Sequence, residues 1–215
     1  MGASTMNIEE SFFSISWFFS AWVRLMEYHT RKKEVLDSAR LGPRRLIISP
    51  PTDAGIPLLV QANAQGTTEL LCFSDRNERK ARNYSKKKRM DALTTQVKPF
   101  FKIPAADNTV SVVYANCFFD FCVDVDFNSI IQEIWRVLEP GGVLFAVYMA
   151  PPSGYRERGW EWTFARFRFL SHGCHPVTIV PHLIQGGMQI LKDIPAVKLG
   201  FPIRYTVSEK PVHVV

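Results

Sequence analysis

Apolar residues recur first at helical spacing and then, further along, in short runs separated by helical stretches. Between residues 9 and 39, Phe12, Trp17 or Phe18, Trp22, Leu25 or Met26, Val35, Leu36 and Ala39 follow helix-like steps, with Ser11, Ser14, Ser16 and Ser20 as the main polar positions of the first half. Gly42-Pro43 ends that pattern, because glycine past a helix end followed by proline stops helical continuation. The reading is an N-terminal helical cap over residues 1–41 and a second unit over 42–215. In that second unit, buried strands are predicted over 45–49, 69–74, 110–115 and 143–149. Helices are predicted over 56–64, 77–88 and 127–138. Strands alternating with helices at this spacing imply a mostly parallel sheet covered on both faces.

The helix ending at Leu138 carries the clearest signal. Ile130, Ile131, Ile134, Trp135, Val137 and Leu138 form a broad apolar face, and Asp126 or Asn128 can cap its start. Pro140 cannot continue a helix, and Gly141-Gly142 can take positive φ angles. The chain therefore turns back at once into the strand from Val143.

Composition adds little to the fold but bears on partners. The 215 residues are 47% hydrophobic, with 16 Phe and 5 Trp, which suits a thick core or an apolar ligand cavity. Much of the net charge of +6 lies in Arg79, Lys80, Arg82, Lys86, Lys87, Lys88 and Arg89. With Tyr84 the sole aromatic among them, the run reads as a solvated helix face, and nucleic acid is not an expected partner. Four cysteines in no disulfide framework fit a reducing, cytoplasmic setting. The apolar stretch over 12–23 is about half the length of a membrane span, and Glu9 and Glu10 precede it, so no membrane span is expected.

Arg136-Val137-Leu138-Glu139-Pro140-Gly141-Gly142 before an apolar strand resembles a signature of class I S-adenosylmethionine-dependent methyltransferases. The stretch Ile103-Pro104-Ala105-Ala106-Asp107-Asn108-Thr109-Val110-Ser111-Val112-Val113 is similar to the segment that leads into that family's fourth strand. Gly187-Met188-Gln189-Ile190-Leu191 looks like its turn before the last two strands. The resemblance covers roughly residues 41–210 and is nearest the quinone-biosynthesis and small-molecule subgroup. It implies a Rossmann-like α/β fold with seven strands, mostly parallel and the last antiparallel, helices on both faces, and S-adenosylmethionine as cofactor.

The resemblance also implies where that cofactor would lie. The family's first strand ends in an acid and a glycine-rich loop, whose bare backbone and free amides approach the ligand. The corresponding stretch here is Ile47-Ile48-Ser49-Pro50-Pro51-Thr52-Asp53-Ala54-Gly55-Ile56. Gly55 matches a motif glycine, Asp53 stands near another, and Ser49 stands near the acid. The two prolines have no N–H to offer, and Asp53 brings negative charge toward an anionic carboxylate. Asp75 matches the ribose-binding acid after the second strand, with Ser74 as the other register, and Asn116 is placed at the pocket edge after the fourth. Cofactor candidates are thus Ser49, Asp53, Gly55, Asp75 and Asn116.

His172, Cys174 and His175 crowd one stretch, but without a CxxC pair or HExxH helix no metal site is expected. His172 or His175 could serve as a general base, since histidine titrates near neutrality. Tyr148 could orient a polar group. Trp160 and Trp162, with Tyr155 at the entrance and Trp17 from the N-terminal helix, either pack on the sheet or form a lid over a hydrophobic substrate. The functional expectation is a small-molecule enzyme of secondary metabolism acting on a lipophilic substrate. Its rivals are a cofactor-independent cyclase on the same fold and a noncatalytic subunit, in a homodimer or with a protein partner.

Overall fold

A computed structural model describes residues 42–97, 102–122, 127–166, 174–198 and 200–212. The predicted cap over 1–41, with Trp17, lies outside the described residues, as does His172. Seven strands form one sheet: β1 (Arg44–Ile48), β2 (Thr67–Cys72), β3 (Leu93–Val97), β4 (Val110–Asn116), β5 (Leu138–Met149), β6 (Gln189–Lys198) and β7 (Phe201–Glu209). The helices are α1 (Gly55–Gln61), α2 (Asp75–Lys88), α3 (Phe127–Val137), α4 (Tyr155–Arg166) and α5 (Val180–Gln185).

The order across the sheet is β3-β2-β1-β4-β5-β7-β6. All pairings from β3 to β5 are parallel, and β7 runs antiparallel to both β5 and β6. The chain leaves β1 for β2 on one side and later returns to β4 on the other. This reversal opens a crevice at the carboxyl ends of β1 and β4, where ligands of such sheets bind.

Local chemistry explains the elements. β1 and β4 are near-continuous apolar runs, and β4 is buried along its whole length, as a strand covered on two faces must be. α1 buries Ile56, Leu59 and Val60 at helical spacing. α2 starts at Ser74, whose hydroxyl accepts from the Asn77 amide, and stops at Arg89 in the left-handed region. Its buried residues are Asn77 and Ala81, and Glu78 pairs with Arg82 at 2.7 Å, so its basic run faces solvent. Ile130, Ile131, Ile134 and Val137 bury the predicted face of α3. Gly141 takes φ +80°, and a Cβ on Gly142 would stand 2.7 Å from the Glu139 carbonyl, so the tight return into β5 requires both glycines.

Two cations tie this return to its neighbours. Arg136 donates to both Glu133 oxygens, to Asp107, and to the carbonyls of Ile103 and Ala105. It thereby staples the segment leading into β4 onto α3. Lys210 donates to the Asn108 side chain and to the carbonyls of Trp135 and Leu138, and its ammonium lies 4.9 Å from the Trp135 ring centre. The Trp135 carbonyl near the end of α3 is met this way, and those of Arg136 and Val137 accept the Asn108 and Thr109 amides.

Glu133 also accepts the Ile103 amide at 2.9 Å. The Arg136 hydrogen bonds hold its carboxyl below the usual value against the opposing effect of burial. A depressed carboxyl pKa gives stability that is complete above the ordinary glutamate value, about 4.3, and is lost as pH falls through the lower folded value. Hydrogen-exchange protection of the Ile103 amide should accordingly stay level above about pH 4.3 and decline below it. Protection unchanged down to the acid transition of the whole fold would contradict the linkage.

Candidate functional site at the carboxyl ends of the strands

β1 ends in Ile48, and the next residues turn tightly, with the Asp53 amide donating to the Pro50 carbonyl at 3.0 Å. This turn aims the Asp53 side chain inward, where it is 2% exposed. One carboxylate oxygen accepts the Gly55 amide at 2.7 Å, and the other accepts the Asn116 side-chain amide at 2.9 Å. Two of the predicted cofactor residues are therefore joined through the third. Gly55 sits tightly as well: a Cβ there would meet the Tyr114 hydroxyl at 2.8 Å and Asp53 at 3.2 Å. Tyr114 stacks on Phe145 with ring centres 5.6 Å apart, which fixes that hydroxyl beside the loop.

The remaining predicted residues scatter around this knot. Ser49 is buried, and its hydroxyl reaches the neighbouring Pro50 carbonyl at 3.4 Å. β2 ends in Cys72; Ser74 serves as the helix cap, and Asp75 opens α2 with an exposed side chain. The Tyr148 hydroxyl is inside the fold, 3.0 Å from Thr206 on β7, and burial raises its pKa. The His175 amide donates to the Asp120 carbonyl at 3.1 Å. Trp160 packs edge-on to Phe201, with centres 6.0 Å apart, whereas Tyr155 and Trp162 are 90% and 64% exposed.

From the sequence Asp120, like Asp124 and Asp126, reads as a turn or cap residue rather than as half of a carboxylate pair. It is 2% exposed, and its carboxylate accepts the Met149 amide at 2.7 Å, at the end of β5. The sequence places it after an apolar strand among other acids, which reads as turn chemistry; only the fold shows it buried. Cys174 lies close by, and burial followed by the Asp120 charge pushes its thiol pKa well up. Burial of this kind disfavours the thiolate. Among the described residues no group of three or more His, Cys, Asp or Glu could hold a metal ion.

A narrow cleft opens between α3 and the ends of β1 and β2, at one side of the same crevice. Its apolar lining includes Ile48, Phe73, Ile103, Phe118 and Ile134, with Lys102 and Glu133 as its charged members. Its enclosed space is about 20 Å³, room for about one water. Phe73 and Phe118 stack with centres 6.2 Å apart.

Fold and comparisons agree on the architecture. The architecture is the Rossmann-like class I methyltransferase fold, and residues 55–146 match a family model described as a methyltransferase domain. A Galdieria sulphuraria protein assigned as a sarcosine dimethylglycine methyltransferase is similar in structure, with a TM-score of 0.67, 14% identity, and coverage of 89% of this chain and 87% of that one. The [4+2]-cyclase SpnF is similar at a TM-score of 0.63 and 16% identity, over 84% and 80% of the two chains. A protein assigned as a methyltransferase and solved with the Haloferax volcanii Trm112 methyltransferase activator is similar at a TM-score of 0.67 and 16% identity, over 98% and 100% of the two chains. No curated protein matches the chain by sequence.

The donors at the knot fit the amino-acid tail of S-adenosylmethionine poorly. The Gly55 amide and the Asn116 amide already have a carboxylate partner in Asp53. A second carboxylate placed there would meet like charge in a buried setting, where repulsion is strong.

Proposed function

We propose that this chain is a methyltransferase-like enzyme of secondary metabolism that acts on a lipophilic small molecule at the carboxyl ends of β1 and β4. The methyltransferase-domain match over residues 55–146 carries the reading, and the crevice that the strand order opens between β1 and β4 supports it. In this reading S-adenosylmethionine binds, but weakly, because Asp53 competes for the donors that its carboxylate would need. Calorimetric titration should then give a dissociation constant of roughly 0.1–1 mM, against the micromolar values that intact donors support. Submicromolar binding would contradict the role given to Asp53.

A cofactor-free cyclisation is the second reading. It is favoured by the same internal carboxylate, which leaves the pocket closed to the tail but not to an apolar substrate, and by the likeness to a cyclase. A cyclase should be stabilised thermally by an apolar substrate analogue and show no heat with S-adenosylmethionine at about 1 mM. The same fold accommodates a protein partner, supported by the likeness to a methyltransferase solved with its activator; that complex would appear as co-purification. No helix among the described residues is long and apolar enough to cross a membrane.

A further inference from the structure

One face of α4 stands open at the end of the sheet where the crevice lies. α4 begins soon after Met149, the last residue of β5, and Trp160 anchors it edge-on against Phe201 at the start of β7, with ring centres 6.0 Å apart. Tyr155, Arg158, Trp162 and Arg166 are spaced three, four and four, so they share the stripe turned away from Trp160. All four are exposed, Tyr155 by 90% and Trp162 by 64%. Gly159 lies in the same stripe, and a Cβ there would meet nothing within 4 Å. The Arg158 guanidinium stands 5.7 Å from the centre of the Tyr155 ring. Of the helix's acids, Glu157 is turned inward onto the Ser153 amide, and exposed Glu161 lies to one side of the stripe. Rings with a polar handle, set among cations, suit a boundary between water and an apolar phase.

We propose that this face docks on an anionic lipid bilayer, with Tyr155 and Trp162 entering the headgroup region and Arg158 and Arg166 meeting the lipid phosphates and carboxylates. The choice of a bilayer rests on the reading of a lipophilic substrate, because docking here brings the crevice to the phase in which such a molecule concentrates. The two rings stand about 10 Å apart along the helix, with Gly159 between them. That leaves no continuous apolar centre for a stable protein interface, which takes roughly 800 Å² from each partner. A fluid surface, by contrast, closes around separate side chains. The basic face of α2 carries more charge but no comparable ring, since Tyr84 is half-buried.

The test sediments the full chain with vesicles of phosphatidylcholine alone and of phosphatidylcholine with about one-third phosphatidylserine. The wild type should bind the anionic vesicles at least about tenfold more tightly. Arg158→Gln with Arg166→Gln should bring the two compositions within about threefold, while Lys86→Gln with Lys87→Gln on α2 should keep most of the preference. Tyr155→Ser with Trp162→Ser should weaken binding to both compositions by about tenfold. Both rings are mostly exposed, so these substitutions leave the core intact. Lipids brominated in their acyl chains should quench tryptophan emission in the wild type and much less in Trp162→Phe. Absence of vesicle binding, or binding that the α4 variants leave unchanged, would overturn the proposal. So would a preference lost only in the α2 pair, or a dimer in solution that Trp162→Ser breaks, since a second copy would then cover the face. The vesicles carry neither substrate nor S-adenosylmethionine, so failure here leaves the proposed reaction standing, and failure of the cofactor titration leaves the docking standing.

Discussion

Lys210→Met should lower the unfolding free energy by about 2–4 kcal/mol, the largest single-residue loss expected in the described fold outside the apolar core. Methionine keeps most of the apolar stem but has no donors. The Asn108 oxygen and the carbonyls of Trp135 and Leu138 would each lose the hydrogen bond made by the ammonium, at 2.6, 2.8 and 2.8 Å. The residue is 8% exposed, so water cannot readily replace the missing group. The contact over the Trp135 ring goes too. Urea denaturation should show a lower midpoint with an unchanged slope. A loss below about 0.5 kcal/mol would mean that the end of α3 is held in some other way.

Asp53→Gly should raise the affinity for S-adenosylhomocysteine by at least about tenfold, even though it lowers stability by about 1–3 kcal/mol. The substitution frees the Gly55 amide from its 2.7 Å bond and the Asn116 amide from its 2.9 Å bond, and it removes a buried negative charge. Both donors then face the space that the ligand's carboxylate would need. The stability cost comes from the same broken bonds and from the greater freedom of glycine in the unfolded chain. An affinity that does not rise would show that Asp53 is not what limits the loop.

How much of this was legible in the sequence depends on whether local pattern or long-range contact makes the feature. The helix and return around Leu138 could be read because a six-residue apolar face and a Pro-Gly-Gly turn are local chemistry. The strands β1, β4 and β5 are buried on both faces, so they stand out as continuous apolar runs. β3 did not stand out: Leu93-Thr94-Thr95-Gln96-Val97 is an edge strand, half polar, and its pairing with β2 gives it its identity. β6 was likewise hidden by Lys192, Asp193 and Pro195, which an edge strand tolerates. α5 was also missed, being a single short element with Pro181 at its start.

The site was legible in parts. Asp53, Gly55 and Asn116 were selected from sequence, but the hydrogen bond joining Asn116 to Asp53 spans 63 positions and required the sheet to bring β1 and β4 together. Asp75 was selected by its place after an apolar strand, and the cap geometry of Ser74 leaves it on the exposed first turn of α2. Tyr148 lies in a strand buried on both faces, which turns its hydroxyl toward Thr206.

The central claim is that ligands enter where β1 and β4 diverge, against a loop whose donors are held by Asp53. Amide chemical shifts recorded while S-adenosylmethionine is added to wild type and to Asp53→Gly test it most directly. The expected shifts fall on the amides of Ser49, of residues 52–55 and of Asn116, small in the wild type and saturating at lower concentration in the variant. Shifts centred on α2 or β6, or none at the loop even after the carboxylate is removed, would contradict the account.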